Sequence, residues 1–428
     1  MIETYKDAEN FLRERGQLGI KPGLQRVSRL LMELGHPERK VSGIHIAGTN
    51  GKGSTVQFLK SAFKNNDYLV GSFTSPSMHG LRGHIKLQDD PISKETFIGL
   101  LQDMLPVIEK MDIEDMAPTS FEILTVLAFL CFADNVDIAL IEAGMGGRED
   151  TTNCFTPILS IITNVALDHT AFLGDTVAKI AAHKAGIIKY KVPVVAGELP
   201  ETAMEVIETE ASSKHAALYC LHQYFCYKRI LPEKGIHRFL FESAGFKKEV
   251  QLRMAGEHQE KNAALAIMAT LLLRDMHFPV DMRKALSGIS SSTAAGRFEK
   301  VYNHPEIIVD SAHNPAGMKA FLRTVAENYP YQRKKLLFAG FKDKDLRHML
   351  QDCFGKFDEI TLTSFDHPRA AGVANLEEIF PSETFYKEKD YRVYIERILQ
   401  DRDPKTIYFI AGSFHFISEV REYMAQNL

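Results

Sequence analysis

The sequence predicts an α/β fold in two parts, a larger parallel-sheet domain followed by a smaller α/β domain. Three observations carry this. Short apolar, β-branched runs alternate with helical stretches, the runs come in two series, and a segment of small residues separates the series. Apolar strands that alternate with amphipathic helices imply a parallel sheet covered on both faces. The first series is "SGIHIAG" (42–48), "VDIALIEAG" (136–144), "ILSIITNV" (158–165) and "VPVVAG" (192–197). The second is "EIIVD" (306–310), "KKLLFAG" (334–340), "EITLTSF" (359–365) and "TIYFIAGS" (406–413). Between them "GISSSTAAGRFEKV" (288–301) reads as a linker, with the boundary near residue 296.

Bulk properties narrow the function. A chain of 428 residues has room for two or three domains at about 100–200 residues each. Its 45% hydrophobic and 25% charged residues suit a globular protein with a full core. A net charge of −4, with both signs mixed, argues against nucleic-acid and membrane partners. The five cysteines are scattered with no Cys-x-x-Cys pair, which argues against a zinc ribbon or a disulfide framework and fits a reducing compartment. The start, "MIETYKDAENFLRERG", is too charged for a signal peptide, and no apolar run approaches the roughly 18 residues of a membrane span. A cytoplasmic protein is expected.

The stretch "IHIAGTNGKGSTV" (44–56) has the content of a phosphate cradle without the standard P-loop spacing. Ile46 stands where the first glycine belongs, and Gly53 separates Lys52 from Ser54. Its context is that of a P-loop-type ATPase: Ile44 and Ile46 alternate as in a strand, and Val56, Leu59 and Phe63 recur at helical spacing. Glycines there let backbone N–H groups converge on phosphate at a helix start. Lys52 would reach terminal phosphates and Ser54 a magnesium ion; a plain glycine turn is the alternative. Two strand ends supply further candidates, Glu142 in "IEAGMGG" and His169 after Asp168 in "NVALDHT". Open α/β sheets bind ligands at these carboxy ends. Alone, each has a structural reading, a helix-capping acid and a hydrogen-bonded histidine, and histidine is an unusual magnesium ligand.

Taken in order, "GTNGKGS", "IEAGMGGREDTTN", "ITNVALDHTAFLGDT", "KAGIIK", "AGRFE" and "DSAHNP" resemble the motifs of folylpolyglutamate synthase and dihydrofolate synthase, members of the Mur ligase superfamily. The likeness runs from "GIKPGLQRV" near residue 19 to "AGSFHF" near 411, and the variant loop spacing is the family's own. The resemblance implies a P-loop-type parallel-sheet ATPase domain with the pterin site over 1–295. A Rossmann-like domain over 296–428 would bind the amino acid and close over ATP. It implies an ATP-dependent ligase that phosphorylates a carboxylate of tetrahydrofolate or dihydropteroate. The amine of L-glutamate then attacks the acyl phosphate, giving an amide, ADP and phosphate. A monomer is the family tendency.

Residue by residue, the resemblance assigns ATP to Gly48, Thr49, Asn50, Gly51, Lys52, Gly53 and Ser54, with Asn262 near the adenine. Arg297 would reach the phosphates from the domain junction, and Asp310 would lie at the ribose. Ser54, Ser75, Glu142 and His169 would surround two magnesium ions. Lys184 matches a lysine that is carbamylated; by residue type alone it reads as a solvated helix lysine. Lys52, Lys184, His169 and Arg297 form the catalytic set. For substrates, Phe121 in "APTSFE" would stack on the pterin and Asp150 would pair with its ring nitrogens. His313 would lie between nucleotide and amino acid, and Ser413 would help hold the glutamate.

The stretch "TSPSMHGLRGHIKL" (74–87) departs from the family pattern. Ser77 replaces a histidine, and Gly83, His84 and Ile85 replace Glu-Arg-Ile. That arginine is associated with the amino-acid carboxylate; His84 offers no two-pronged fork, and Arg82 stands two residues away. His183 also replaces an acid before the matched lysine. A Mur-type ligase with another acid or amine is therefore the second reading, followed by a nucleotide-binding regulator without ligation. A simple kinase would retain the phosphate on the acid.

Overall fold

In the computed structural model, which describes residues 2–233, 236–380 and 385–427, strand formation follows the apolar runs. The first series lies in an eight-stranded sheet. Its strands are β1 (Gly43–Ala47), β2 (Val70–Phe73), β3 (Ile85–Leu87), β4 (Asp90–Pro91), β5 (Ile138–Glu142), β6 (Leu159–Ile162), β7 (Val194–Ala196) and β8 (Leu218–Cys220). Their order is β4-β3-β2-β5-β1-β6-β7-β8, parallel except for the β2–β3–β4 edge. The central strands β1 and β5 are buried along their whole length, as continuous apolar runs under helices on both faces require.

Helix Ser120–Phe132 is apolar all round and buried along most of its length. Its start is fixed by a reciprocal cap: Thr119 Oγ1 accepts from Glu122 N, and Thr119 N donates to Glu122 Oε2 at 2.7 Å. Arg26 then pairs with the same buried Glu122 at 3.0 Å. Helix Lys52–Lys64 packs against helix Met282–Ser291, where Gly288 permits contact: a Cβ there would lie 2.2 Å from Ser61 O. The second helix occupies the first part of the segment read as linker.

A three-stranded sheet of β9 (Phe225–Glu233), β10 (Ile236–Ser243) and β11 (Phe246–Leu252) follows, in the order β11-β10-β9. The second series forms a six-stranded sheet of β12 (Glu299–Asn303), β13 (Glu306–Asp310), β14 (Arg333–Phe338), β15 (Glu359–Ser364), β16 (Tyr386–Asp390) and β17 (Thr406–Ala411). Its order is β12-β13-β17-β14-β15-β16, parallel except for the edge strand β12. Two mainly parallel sheets with intervening helices bear out the expected α/β architecture. The chain divides into two compact units: 1–228, 240–250 and 261–292 form one, while 229–239, 251–260 and 293–428 form the other. Among the described residues no helix is long and apolar enough to cross a membrane.

Candidate active site

Four neighbouring parallel strands of the first sheet, in the order β2-β5-β1-β6, deliver their carboxy ends to one edge. Ser75 follows β2, Glu142 ends β5, the loop 48–51 follows β1, and the segment 163–169 follows β6. That edge is where an open parallel sheet binds its ligand.

The loop after β1 is held by its neighbour. Asn164 Oδ1 accepts from the N–H groups of Asn50 (2.8 Å) and Thr49 (3.2 Å), and Thr163 Oγ1 donates to Asn50 O at 2.6 Å. Thr49 Oγ1 donates to Ala166 O and accepts from Ala166 N, at 3.1 and 3.0 Å. Gly51 has φ of 84°, and a Cβ on it would fall 2.3 Å from Asn262 Oδ1. A Cβ on Gly48 would fall 1.8 Å from Thr163 Oγ1. Only glycine fits either position. Helix Lys52–Lys64 begins at the loop, and buried Ser54 lies in its first turn. Lys52 Nζ donates to Gly48 O at 3.0 Å and lies 4.0 Å from Glu142 Oε1. Asn262 thus stands against the phosphate loop itself. Thr163 and Asn164 were not singled out in the sequence; "TN" directly after an apolar strand was their available signal.

Lys184, in helix Val177–Ala185, is buried rather than solvated. Burial above all, and then the positive charge of Lys52, bring its amine down from 10.5 to about 7, against the opposing pull of Asp168 and Asp150. His169 has φ of 52° and caps the short helix Thr170–Leu173. Its N–H donates to Asp168 Oδ1 at 2.9 Å, and its ring Nε2 lies 4.0 Å from Asp168 Oδ2. Ser75 precedes Pro76 through a cis peptide bond.

Phe121 is half-buried, its ring 5.6 Å from that of Phe73. A Cβ on Gly144 would meet both the Phe121 ring, at 2.7 Å, and Asp150 Oδ2, at 3.2 Å. Asp150 is buried, and its oxygens accept from Met145 N (2.7 Å), Thr152 N (3.0 Å), Thr152 Oγ1 (2.5 Å) and the Gly144 N–H. Desolvation raises its pKa, opposed by these bonds. Four donors fill the roughly four lone-pair sites of a carboxylate.

In the divergent stretch, Arg82 Nη1 donates to Ile92 O at 2.6 Å, and its guanidinium carbon lies 5.6 Å from the Tyr5 ring centroid. His84 Nδ1 donates to Thr74 O at 2.8 Å, and burial lowers its pKa against the opposing effect of that bond. His84 is therefore a neutral group near pH 7 with its proton on Nδ1. A Cβ on Gly83 would meet Ser77 Oγ at 2.1 Å, so the two departures from the family pattern fit each other.

Within the second unit, Asp310 ends β13 and accepts from Phe298 N and Ala312 N, both at 2.8 Å. Burial raises its pKa to about 6, against the charge of Arg297. His313 Nδ1 donates to Ser311 O at 2.9 Å. Ser413 ends the loop after β17; its hydroxyl is buried and has no hydrogen-bond partner among the described residues.

The chain matches the Mur ligase middle domain over residues 46–270 and the Mur ligase glutamate ligase domain over 296–414. It is 35% identical over 428 residues to a dihydrofolate synthase/folylpolyglutamate synthase of Bacillus subtilis, with 99% of each chain covered. It resembles the solved folylpolyglutamate synthase of Mycobacterium tuberculosis complexed with ADP, at a TM-score of 0.90, 29% identity and 98% coverage of both chains. The folylpolyglutamate synthase of Thermotoga maritima matches at a TM-score of 0.86 and 31% identity, over 99% of this chain and 97% of that one. This is the fold and phosphate edge of an ATP-dependent, amide-forming ligase. The chain belongs to the Mur ligase superfamily and, within it, to the folylpolyglutamate synthase and dihydrofolate synthase family.

Proposed function

We infer that the protein joins the amine of L-glutamate to a carboxylate of tetrahydrofolate or dihydropteroate at the expense of ATP. The observation that carries this reading is the edge itself. A glycine-gated phosphate loop, Lys52, Glu142 and a buried Lys184 converge there, a collection that simple nucleotide binding does not call for.

Lys52 would exchange the carbonyls of Gly48 and Thr49 for phosphate oxygens, and the N–H groups at the start of helix Lys52–Lys64 would take the rest of the charge. The buried oxygens of Ser54 and Glu142 fit magnesium, an ion that keeps water and phosphate oxygens and needs few protein ligands. Ser75 and His169 would complete the surroundings of a second ion. When bound, the metal would neutralise charge building on the transferred phosphate. A lysine amine that is partly neutral near pH 7 is a nucleophile for carbon dioxide, which supports a carbamate on Lys184. Carbamylation would also replace a costly buried cation with an anion facing the site. The half-buried face of Phe121 supports a stacked pterin. We assign the pterin site to 1–295 and the amino-acid site to 296–428, with Arg297 serving the phosphates, Asp310 the ribose, His313 and Ser413 the amino acid. The orphaned hydroxyl of Ser413 supports the last of these.

A second reading, a Mur-type ligase with another amine, draws on Arg82 and His84: one is committed to Ile92 and Tyr5, the other is neutral. The test is ADP release by the purified protein with ATP, magnesium and bicarbonate, each component omitted in turn. Release that needs both glutamate and a pterin acid, with a product heavier by one glutamyl residue, is expected. ADP release that ignores glutamate but responds to a different amine would replace this reading with the second.

A further inference from the structure

Parallel pairing of β1 with β6 ends where Ala47 faces Ile162, yet the two chains stay fastened beyond that point. Thr163 N donates to Ala47 O at 2.9 Å, and Thr49 N donates to Asn164 O at 3.1 Å. Side chains then extend the zipper. The hydroxyl of buried Thr49 donates to Ala166 O at 3.1 Å and accepts from Ala166 N at 3.0 Å, serving both backbone groups of one residue as a paired strand does. The single proton of that hydroxyl goes to Ala166 O, so none is left for a phosphate oxygen, which is an acceptor. Asn164 works from the other side. The N–H groups of Thr49 and Asn50 can only donate, so the amide oxygen of Asn164 faces them both.

The fastened segment runs straight into His169, three residues beyond Ala166. His169 has φ of 52°, a left-handed conformation that a side-chain-bearing residue keeps only where its surroundings hold it. Downstream the hold is the short helix, whose Phe172 N and Leu173 N both donate to His169 O, at 2.9 and 3.0 Å. Upstream, Leu167 is exposed and packs little, so the anchor is Ala166 on the Thr49 hydroxyl. We propose that Thr49 and Asn164 are positioning residues, a latch that carries the conformation of the phosphate loop into the Asp168–His169 turn, and that the Thr49 side chain serves this latch rather than the phosphates. A nucleotide that orders the loop then orders His169 with it, and an ion held by His169 binds in step with the nucleotide. The inference deepens the two-ion reading above and rests on it only for what His169 holds.

The test compares Thr49→Val with Thr49→Ser. Valine keeps the shape and removes the hydroxyl that holds Ala166, while serine retains it. Manganese, counted by the EPR signal of the free ion beside a non-hydrolysable ATP analogue, stands in for magnesium. The parent protein is expected to hold two ions. In the valine variant one ion should lose about tenfold or more in affinity, as is usual when a group behind a metal ligand is removed. The other ion and the nucleotide should stay within threefold, and serine within twofold throughout. A folded valine variant that holds both ions as the parent does, or one that loses nucleotide as heavily as metal, overturns the proposal. Amide hydrogen exchange gives a reading that needs no metal and no turnover. Ala166 N–H in the parent should exchange at least tenfold more slowly than in an open chain, and Ala166, Phe172 and Leu173 should all exchange faster in the valine variant. Unprotected Ala166 in the parent, or unchanged Phe172 and Leu173 in the variant, overturns the latch. If the parent holds a single ion, the two-ion reading fails, while the exchange still decides the latch.

Discussion

Replacing Lys184 with methionine should stabilise the protein while abolishing turnover. The substitution keeps an unbranched side chain one atom shorter and removes its charge. Lys184 is only 2% exposed, and no opposite charge offsets its burial enough to keep the amine near 10.5; it falls to about 7. At about 1.4 kcal/mol per pKa unit, holding the ammonium in the folded chain costs about 5 kcal/mol at low pH and about 4 kcal/mol at pH 7, where half is already neutral. Between pH 7 and 10.5 the unfolded chain binds more protons at this group than the folded one. The cost is therefore full below pH 7 and fades as the pH rises towards 10.5. Methionine should gain about 4 kcal/mol at pH 7 and only about 1 kcal/mol at pH 9.5. Urea unfolding in carbon dioxide-free buffer, read on the transition of the unit holding Lys184, measures both. Bicarbonate should then stabilise the parent protein but not the methionine variant, since only the parent can bind carbon dioxide. A variant less stable at pH 7, or a gain that does not change with pH, would refute the argument.

Two further outcomes follow from the site. Gly51→Ala, which forces a Cβ into Asn262 at positive φ, should weaken ADP binding at least tenfold in calorimetry; unchanged affinity would remove the loop from the nucleotide site. His84→Arg should lower the Michaelis constant for glutamate several-fold by restoring a fixed cationic fork, and an unchanged value would place carboxylate recognition elsewhere.

The strand–loop–helix around Lys52 was legible because its signals are local: alternation at Ile44 and Ile46, glycines, then helical spacing. The same holds for the four apolar strands of each series. β2 was not legible, and its packing explains why. A Cβ on Gly71 would lie 2.7 Å from the Phe132 ring, so this strand carries Gly-Ser in place of a β-branched run. The position of Ser75 then rested on resemblance alone. The edge strands β12 and β16 are largely polar, and β12 lies partly in the segment that reads as a linker. Asp150 shows a different limit. An acid after a glycine turn reads as exposed in the sequence, and only the structure reveals its burial and its bonds to Met145, Gly144 and Thr152. The burial of Lys184, likewise, depends on how its helix packs and has no local signature.

The most direct test of the central claim follows oxygen. With the pterin acid carrying oxygen-18 in its carboxyl group, ligation through an acyl phosphate moves one labelled oxygen into inorganic phosphate for each amide formed. Labelled phosphate in that ratio, formed only with glutamate present, is the predicted result. Amide formation with unlabelled phosphate would contradict it.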